Sequence, residues 1–404
     1  RGWQEHEDRA FADLSRMIVR EAQLTPAKPR STVPEDQIIW GRSPVRLDLA
    51  GGWTDTPPYC LEHGGQVLNV AVDLNGQPPI QVFAKLSTRP EIILHSIDLG
   101  AEERVRAWEE LGAFGQPGSE FGLAKAALGL AGFLPRFHAD PSFDSLEQQL
   151  EDFGGGIELS MLSAVPKGSG LGTSSVLAAT LMATLSELCG LEWDRMALFG
   201  RTLALEQLLT TGGGWQDQAG GLFPGLKMIE TSPGMSQRPV LRWLPDRLLG
   251  PEYANRAVLL YYTGLTRLAK DILHQVVRGL FLNDPANLRT LREIGSNAVA
   301  ASDAVQRHDF TGLARTIDRA WVLNQRLDAE TKTVEIQAIL DAVEPDIAGA
   351  KLLGAGGGGY LLLFAHDEDA ARRIRRGLEA HPPNKLARFV DFSVSQTGLQ
   401  VTRS

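Results

Sequence analysis

The sequence predicts an α+β protein built in two parts. A chain of 404 residues is longer than one ordinary hydrophobic core supports, so two units are expected. Short apolar runs bounded by turn residues predict strands, and residues 267–346 carry a long helical pattern. Separate groups of strands and helices are typical of α+β folds. The predicted strands are Ile38–Trp40, Val67–Val72, Ile80–Ala84, Ile92–Leu94, Ile157–Val165, Ala257–Tyr262, Tyr360–Phe364 and Ala387–Val394.

The predicted division of the chain has three segments. A proline-rich and charged stretch from Thr25 to Asp36 predicts a linker. Residues 1–36 are therefore assigned to a helix and linker, residues 37–250 to an N-terminal domain, and residues 251–404 to a C-terminal domain. The helix is expected at residues 6–22, because apolar side chains recur there at helical spacing: Phe11, Leu14, Met17 and Ile18.

Composition narrows the classes of function. The formal net charge is −9 and the pI is about 5.5, so no basic field is expected to hold nucleic acid or an anionic membrane. Two cysteines, Cys60 and Cys189, are too few for a disulfide framework and lack metal-site spacing. No apolar stretch approaches the roughly 20 residues that span a bilayer. We therefore expect a soluble, cytoplasmic protein that binds neither nucleic acid nor membrane.

A glycine-rich segment, Pro166–Ser175, lies between a predicted strand and a buried helix over residues 173–189. Closely spaced glycines let backbone N–H groups converge, and the following helix adds its positive N-terminal end, so the segment predicts a phosphate-binding loop. A simple tight turn is the alternative. No lysine follows the glycines as in the common nucleotide loop, and their spacing is not that of dinucleotide-binding proteins. The Ser174 hydroxyl is a candidate magnesium ligand.

Two acidic residues follow the glycine-rich segment. Glu206 lies among leucines on a predicted helix, where a carboxylate needs a metal or a basic partner such as Arg201. Asp217 follows three glycines within Thr210–Gln218, which allows an irregular backbone to aim its side chain into a cleft. A flexible loop capped by Asp217 is the structural alternative.

Two further motifs complete the set of candidate sites. Arg42–Thr56 combines charged residues on a strand with a Gly-Gly turn followed by Trp53, Thr54 and Asp55, which suits the binding of a sugar. A salt-bridged edge strand would explain the same pattern. Lys351–Tyr360 contains a glycine run that permits close backbone approach to a ligand or another loop, or that forms a hinge.

Together these motifs resemble those of the GHMP kinases, the superfamily of galactokinase, homoserine kinase, mevalonate kinase and phosphomevalonate kinase. Pro44–Asp55, Pro166–Ser175 and Gly354–Gly359 are similar to the three family motifs, and the match spans residues 37–404. The resemblance implies an N-terminal domain of the ribosomal protein S5 domain 2-like type and a ferredoxin-like C-terminal domain. The active site is then expected between the two domains.

The resemblance also implies ATP and Mg²⁺ as cofactors and a role for each motif residue. Asp217 is the expected catalytic residue, with Arg46 beside it to hold it ionised, and Ser174 and Glu206 are the expected metal ligands. The implied nucleotide-binding residues are Pro166, Gly168, Ser169, Gly170, Leu171, Gly172, Thr173 and Ser174. The implied substrate-binding residues are Arg46, Trp53, Thr54, Asp55, Gly214, Trp215, Gly357 and Gly358.

The sugar site departs from that of galactokinases, because Gly51–Asp55 reads Gly-Gly-Trp-Thr-Asp where they have Gly-Glu-His-Thr-Asp. With Thr211–Gln218 and Gly356–Tyr360, it is similar to the L-fucokinases, in particular to the kinase part of bifunctional L-fucokinase/GDP-fucose pyrophosphorylases. The resemblance implies phosphorylation of the anomeric hydroxyl of L-fucose, in fucose salvage toward GDP-fucose. A fused upstream pyrophosphorylase domain is also expected, since the chain begins with Arg1 rather than methionine.

Two other functions stay open at this point. Heptose 7-phosphate kinases share the Gly-Gly-Trp-Gln-Asp-Gln block, although the sequence offers no cluster of basic residues near the sugar motif for a sugar phosphate. A sugar sensor without catalytic activity could use the same fold. It would not need to keep Ser174, Glu206 and Asp217 together.

Overall fold

The computed structural model describes residues 2–23, 26–116, 118–140, 142–209, 213–265 and 270–404. Helices and strands are both abundant in these residues, which confirms the predicted α+β class. The strands are β1 (Ile39–Ser43), β2 (Val45–Ala50), β3 (Gln66–Leu74), β4 (Ile80–Ser87), β5 (Ile92–Ser96), β6 (Ala101–Val105), β7 (Gly156–Ser163), β8 (Leu226–Glu230), β9 (Val240–Trp243), β10 (Val258–Tyr262), β11 (Ile347–Leu352), β12 (Tyr360–Ala365), β13 (Arg388–Val390), β14 (Phe392–Val394) and β15 (Gln400–Arg403).

The long helical pattern over residues 267–346 corresponds to four separate α-helices in the described part of the chain, whereas the first helix is longer than predicted. None of the helices in the described residues is both long enough and apolar enough to cross a membrane. They are α1 (Gly2–Gln23), α2 (Tyr59–His63), α3 (Trp108–Gly112), α4 (Gly122–Leu128), α5 (Leu146–Phe153), α6 (Thr173–Leu188), α7 (Arg195–Leu208), α8 (Gln216–Leu222), α9 (Lys270–Phe281), α10 (Pro285–Gln306), α11 (Phe310–Leu327), α12 (Val334–Val343) and α13 (Glu368–Ala380).

Two sheets form the first part of the molecule. One has the strand order β15-β1-β4-β7-β5-β6, and the other has the order β14-β3-β8-β9 with β2 paired to β3. The helix α6 lies against β1 and β4, and its side chains are almost all buried. A helix that is buried on nearly every face needs such an enclosed position between other elements. This burial fixes the start of α6, and with it the end of the glycine-rich segment.

A four-stranded sheet, β11-β12-β10-β13, forms the second part. Side chains alternate across a strand, so each face of this sheet packs against a different pair of helices. Leu259 and Leu363 lie in one cluster with α12 and α13. Leu260 and Leu362 lie in another cluster with α10 and α11, which also contact β2 and β3. Helices of the second part therefore reach the strand that carries Arg46.

The last residues of the chain return to the first part. The predicted strand Ala387–Val394 is two strands, because β13 pairs with β10 whereas β14 pairs with β3 in another sheet. The strand β15 then pairs with β1. A single strand across residues 387–394 was the wrong prediction, since the chain passes from one sheet to the other at Asp391. The predicted domain boundary near residue 250 stays a prediction.

The N-terminal helix packs onto the first part. Ile18 and Val19 are buried, and the Ser15 hydroxyl donates a 2.9 Å hydrogen bond to the carbonyl oxygen of Gln207 on α7. Met17 is 53% exposed, although it belongs to the same predicted apolar stripe. The helix therefore supports the back of α7, the helix that carries Glu206.

Candidate active site

A cavity of about 550 Å³ lies where the glycine-rich segment, β2, the start of α8 and the Leu353–Gly358 loop meet. Twelve of the residues predicted for nucleotide, metal, substrate or catalysis line this cavity, although they are separated by up to 312 positions along the chain. They are Arg46, Trp53, Asp55, Gly168, Ser169, Gly170, Gly172, Thr173, Ser174, Gly214, Asp217 and Gly358.

Six predicted site residues do not line the cavity: Pro166, Leu171, Thr54, Trp215, Gly357 and Glu206. Leu171 is fully buried in the hydrophobic core, where it anchors the glycine-rich segment. The Thr54 hydroxyl closes a turn by donating to the carbonyl oxygen of Gly51 at 2.7 Å. Trp215 has no exposed surface, packs against Phe199 and donates from Nε1 to Gln237, so it supports the site from behind.

The glycine-rich segment has the backbone that its sequence predicts. Gly168, Gly170 and Gly172 have φ values of 72°, 83° and 72°, in the left-handed region that favours glycine. A Cβ on Gly170 would also overlap the carbonyl oxygen of Leu353. Gly172 caps α6, so the N-terminal end of this 16-residue helix opens into the cavity at Thr173. Helix N-termini attract anions, which suits a phosphate group at this point.

The second glycine run contacts the first. The Tyr360 amide donates a 3.1 Å hydrogen bond to the carbonyl oxygen of Ser169, and the Gly359 amide donates to Leu265 at 2.8 Å. The Gly357 amide donates to Thr331 at 2.9 Å, away from the cavity. Of the alternatives for this run, the structure shows close approach to another loop. The run thus holds the glycine-rich segment against the second part of the molecule.

Arg46 joins the catalytic candidate to the glycine-rich segment. Its Nε and Nη2 atoms donate to Oδ1 of Asp217 at 2.8 and 2.5 Å, and its Nη1 donates to the carbonyl oxygen of Gly170 at 2.6 Å. Burial alone would lower the pKa of Arg46, but the carboxylates of Asp217 and Asp48 outweigh it and raise that pKa. The Arg46 side chain is 4% exposed, whereas that of Asp217 is 26% exposed to the cavity.

Glu206 is buried beside α6 on the helix α7. Its Oε1 accepts a hydrogen bond from the hydroxyl of Ser175, the residue after the predicted ligand Ser174. Burial raises the pKa of Glu206 to about 8, against the hydrogen bond from Ser175, and the nearby Asp217 and Asp55 raise it further. A bound cation would reverse this shift, because it favours the ionised carboxylate.

Asp55 is another buried carboxylate close to Asp217 and Asp48. It is 1% exposed, and burial raises its pKa to about 7, with Asp217 and Asp48 adding to the rise and the backbone hydrogen bond from Gln216 opposing it. Its Oδ2 accepts from the Gln216 amide at 3.0 Å, and its Oδ1 accepts from the Trp53 amide at 3.1 Å. Asp55 therefore fixes the start of α8 against the Gly51–Asp55 turn. Thr210, Thr211 and Gly212 of this predicted motif lie outside the described residues.

Asp48 forms an ion pair that sequence reasoning missed. Lys351 Nζ lies 2.7 Å from Asp48 Oδ2 and 2.9 Å from the Asp48 carbonyl oxygen, and both side chains are at most 4% exposed. The pair joins β2 of the first part to β11 of the second across 303 positions. Lys351 begins the Lys351–Tyr360 glycine motif and Asp48 lies in the Arg42–Thr56 motif, but neither sequence pattern indicates that the two residues are partners.

The rest of the cavity wall was also missed. It includes Met161 and Ser163 on β7, Leu123 on α4 and Phe114 before it. The only signal for these residues was that Met161 and Ser163 lie two apart on the strand leading into the glycine-rich segment, and so face the same side. The region 100–153 offers no glycine or acidic motif that would point to a site.

Comparison with known proteins identifies the family. Residues 142–225 match the family model of the GHMP kinases N terminal domain, and residues 301–384 match that of the GHMP kinases C terminal region. A crystal structure of a D-glycero-D-manno-heptose 1-phosphate kinase from Bacteroides thetaiotaomicron has the same fold, with a TM-score of 0.64 and 18% identity. That match covers 90% of this chain and 98% of the other.

Two curated relatives match most of the chain. A Bacteroides fragilis protein named L-fucokinase/L-fucose-1-P guanylyltransferase is 51% identical over 377 residues, which is 93% of this chain and 40% of that protein. An Arabidopsis thaliana protein named bifunctional fucokinase/GDP-fucose pyrophosphorylase is 33% identical over 339 residues, 84% of this chain and 31% of that protein. The chain thus spans less than half the length of these relatives. Both family domains, the fold and these relatives show that the chain belongs to the GHMP kinases.

Proposed function

We propose that this chain transfers the γ-phosphoryl group of ATP to the anomeric hydroxyl of L-fucose, giving L-fucose 1-phosphate and ADP. The observation that carries the proposal is the Arg46 fork, which holds the carboxylate of Asp217 against the glycine-rich segment. A proton acceptor for a hydroxyl and a binding site for a triphosphate are thereby fixed side by side. Positioning of this kind supplies most of the catalysis of phosphoryl transfer. The names of the two bifunctional relatives favour L-fucose as the acceptor.

The proposed reaction uses Asp217 as the proton acceptor. The anomeric oxygen of the sugar forms a bond to the γ-phosphorus, the bond from that phosphorus to the β,γ-bridging oxygen breaks, and ADP leaves with the electron pair. The proton of the anomeric hydroxyl passes to the Asp217 carboxylate. Arg46 holds the Asp217 carboxylate in place and offsets negative charge at the glycine-rich segment, since its third donor lies on the carbonyl oxygen of Gly170.

The residues present fit a magnesium ion. Mg²⁺ prefers oxygen ligands, and the hydroxyls of Ser174 and Ser175 and the carboxylate of Glu206 lie where the glycine-rich segment enters α6. Both serines line the cavity, and the hydroxyl of Ser175 donates to Glu206. We propose that Ser174 and Glu206 hold the ion, with Ser175 orienting the carboxylate. When bound, the ion would neutralise charge on the phosphate oxygens.

The charges of the cavity favour a neutral sugar over a sugar phosphate. Asp48, Asp55 and Asp217 line the part of the cavity proposed to bind the sugar. Arg46 also lines the cavity, but it is already paired with Asp217. Lys167 is the other basic residue on the described wall, and it belongs to the glycine-rich segment. A phosphate group on the acceptor would face these carboxylates, and the two basic residues of the described wall are either paired with Asp217 or part of the glycine-rich segment, which is unfavourable. L-fucose is therefore favoured over heptose 7-phosphate, the alternative substrate.

A panel of acceptors tests this proposal. L-fucose, D-galactose, D-arabinose and D-glycero-D-manno-heptose 7-phosphate are assayed with Mg-ATP in a coupled ADP-release assay. We expect L-fucose to give the highest kcat/KM. A clear preference for the heptose phosphate would overturn the assigned sugar while leaving the kinase family intact. If one of these sugars binds but none of the four supports ADP release, the result would instead favour a sugar sensor.

The role of Glu206 is tested by Glu206→Gln. We expect kcat to fall strongly and the magnesium concentration for half-maximal activity to rise, because the ion loses a charged ligand. Glu230→Gln is the matched control, since Glu230 is a partly buried carboxylate on β8 that pairs with Arg242. Near wild-type activity of Glu206→Gln at limiting magnesium would show that Glu206 only supports the fold.

The two relatives are also named for a second activity, as a guanylyltransferase or a GDP-fucose pyrophosphorylase, and we propose that this activity uses a separate site. The chain matches 40% and 31% of the length of the two bifunctional proteins, and the family models that it matches are those of the GHMP kinases. We propose that this chain is the kinase part of such a protein and works in the cytoplasm. L-fucose 1-phosphate released here would then be the substrate of the nucleotidyl-transferring part, in salvage toward GDP-fucose.

A further inference from the structure

We propose that Asp48 and Gln216 are specificity-determining residues that accept hydrogen bonds from two hydroxyl groups of the sugar. This inference rests on the proposed function, because it assumes a sugar in the cavity. Both residues line the cavity, and each has a buried acceptor oxygen, Asp48 Oδ1 and Gln216 Oε1, without a hydrogen-bond partner in the described part of the chain. A buried acceptor left unpaired is costly, which favours a ligand hydroxyl as its partner.

The carboxylate of Asp48 is held in one orientation. Lys351 Nζ donates to its Oδ2 at 2.7 Å and to its carbonyl oxygen at 2.9 Å, so the other oxygen, Oδ1, is left over. Asp48 is 3% exposed and lies two residues from Arg46 on β2. Lys351 pairs with Asp48, whereas Arg46 pairs with Asp217, so the two carboxylates have separate basic partners.

The side-chain amide of Gln216 is oriented by Asp55. Its Nε2 donates to Asp55 Oδ1 at 3.1 Å, while its backbone amide donates to Asp55 Oδ2 at 3.0 Å. The nitrogen of the side-chain amide faces Asp55, so its oxygen faces away from Asp55. Gln216 therefore presents Oε1 as an acceptor, one residue before Asp217.

Gly52 shows that the two side chains are neighbours. A Cβ built on Gly52 would overlap Asp48 Oδ2 and lie 3.0 Å from Gln216 Nε2. Asp48 and Gln216 therefore flank the same point of the wall, which only glycine leaves open. The unpartnered oxygens, Asp48 Oδ1 and Gln216 Oε1, belong to the same carboxylate and amide groups as these two atoms. Asp55 already uses both of its oxygens in hydrogen bonds to Trp53 and Gln216. Such a wall is complementary to the hydroxyl donors of a neutral sugar and rejects an anion.

Asp48→Asn tests this assignment. Lys351 requires an oxygen, so the asparagine turns its Nδ2 donor to the position of Oδ1 and removes the acceptor. We expect kcat/KM for the sugar to fall about 10- to 100-fold, the scale of a buried hydrogen bond to a charged group, mainly through KM of the sugar. KM for ATP should stay within about twofold. Asp73→Asn is the matched control, because Asp73 Oδ1 is likewise unpartnered in the described residues but lies outside the cavity on β3.

Monodeoxy sugars separate sugar binding from a structural role. The wild type and Asp48→Asn are assayed with the 2-, 3- and 4-deoxy forms of the preferred sugar. If Asp48 binds one hydroxyl, the loss in kcat/KM from removing that hydroxyl should be smaller in Asp48→Asn than in the wild type. For one analogue the two losses should differ by at least about fivefold. If the loss in kcat/KM for every analogue is the same in Asp48→Asn and in the wild type to within about twofold, the role of Asp48 would be overturned. Gln216→Met in the same cycle should couple to a different hydroxyl, and its coupling to none would overturn the role of Gln216.

Two safeguards keep the test decisive. If Asp48→Asn does not fold, the cycle is run with Asp48→Asn/Lys351→Gln, which removes both charges and so leaves neither one buried and unpaired. The cycle uses whichever panel sugar the wild type turns over fastest. Failure of L-fucose as a substrate therefore counts against the proposed function alone, whereas additivity counts against the two acceptors alone.

Discussion

Replacement of Asp217 by asparagine is expected to lower kcat by about two to four orders of magnitude, the usual scale for losing a general base. The amide keeps the size of the side chain and can still accept from Arg46, but it cannot take the proton of the anomeric hydroxyl. The glycine-rich segment is untouched, so ATP should bind much as in the wild type. Calorimetric ATP titration beside a coupled ADP-release assay measures both quantities.

Asp246→Asn is the matched control for this variant. Asp246 accepts a hydrogen bond from Gln396 at 2.7 Å and is not part of the cavity wall. Its variant should keep wild-type turnover. If Asp217→Asn turned over within about threefold of the wild type while staying folded, Asp217 would not be the base. The loop before α8 would then be a structural feature capped by this residue.

Arg46→Lys is expected to cost about 100-fold in kcat despite conserving the charge. Arginine reaches Asp217 with two nitrogens and Gly170 with a third, and a single ammonium group cannot reproduce this planar fork. Misplacement of a reacting group by about 1 Å can cost about 100-fold. The loss should appear in kcat more than in KM for ATP, because Arg46 positions the proton acceptor.

Arg195→Lys provides the comparison for Arg46→Lys. Arg195 Nη1 donates to the carbonyl oxygen of Leu222 at 2.9 Å, outside the cavity wall, and so makes a backbone contact of the same type without Asp217. Steady-state kinetics of both variants at saturating ATP give the split between kcat and KM. A loss in Arg46→Lys no larger than in Arg195→Lys would contradict the positioning role of the fork.

The sequence motifs predict those parts of the site that depend on backbone conformation. The turn at the glycines of Pro166–Ser175 could be predicted, because left-handed φ values are favoured by glycine itself. That this segment binds phosphate stays a prediction. Arg46 and Asp217 were assigned through resemblance to the GHMP kinases, and the structure brings them together across 171 positions. Their roles in catalysis stay predictions that the two variants above test.

Tertiary contacts explain what the sequence could not show. The pairing of Asp48 with Lys351 depends on how β11 of the second part meets β2 of the first, which no local pattern encodes. Both serines at the start of α6 line the cavity, and the hydroxyl that donates to Glu206 is that of Ser175, one residue after the predicted ligand. This contact depends on how α6 packs against α7. Trp215 looks like a sugar-binding ring in the sequence, but the packing of Phe199 encloses it.

The position of phosphorylation is the most direct test of the central proposal. The wild-type chain is incubated with L-fucose labelled with ¹³C at C1 and with Mg-ATP, and the product is examined by ³¹P and ¹³C NMR. We predict a phosphomonoester signal coupled to the labelled C1, formed in step with ADP and absent for Asp217→Asn over the same time. A phosphomonoester without coupling to C1, or ATP hydrolysis that leaves L-fucose unchanged, would contradict the proposal that this chain is an anomeric L-fucose kinase.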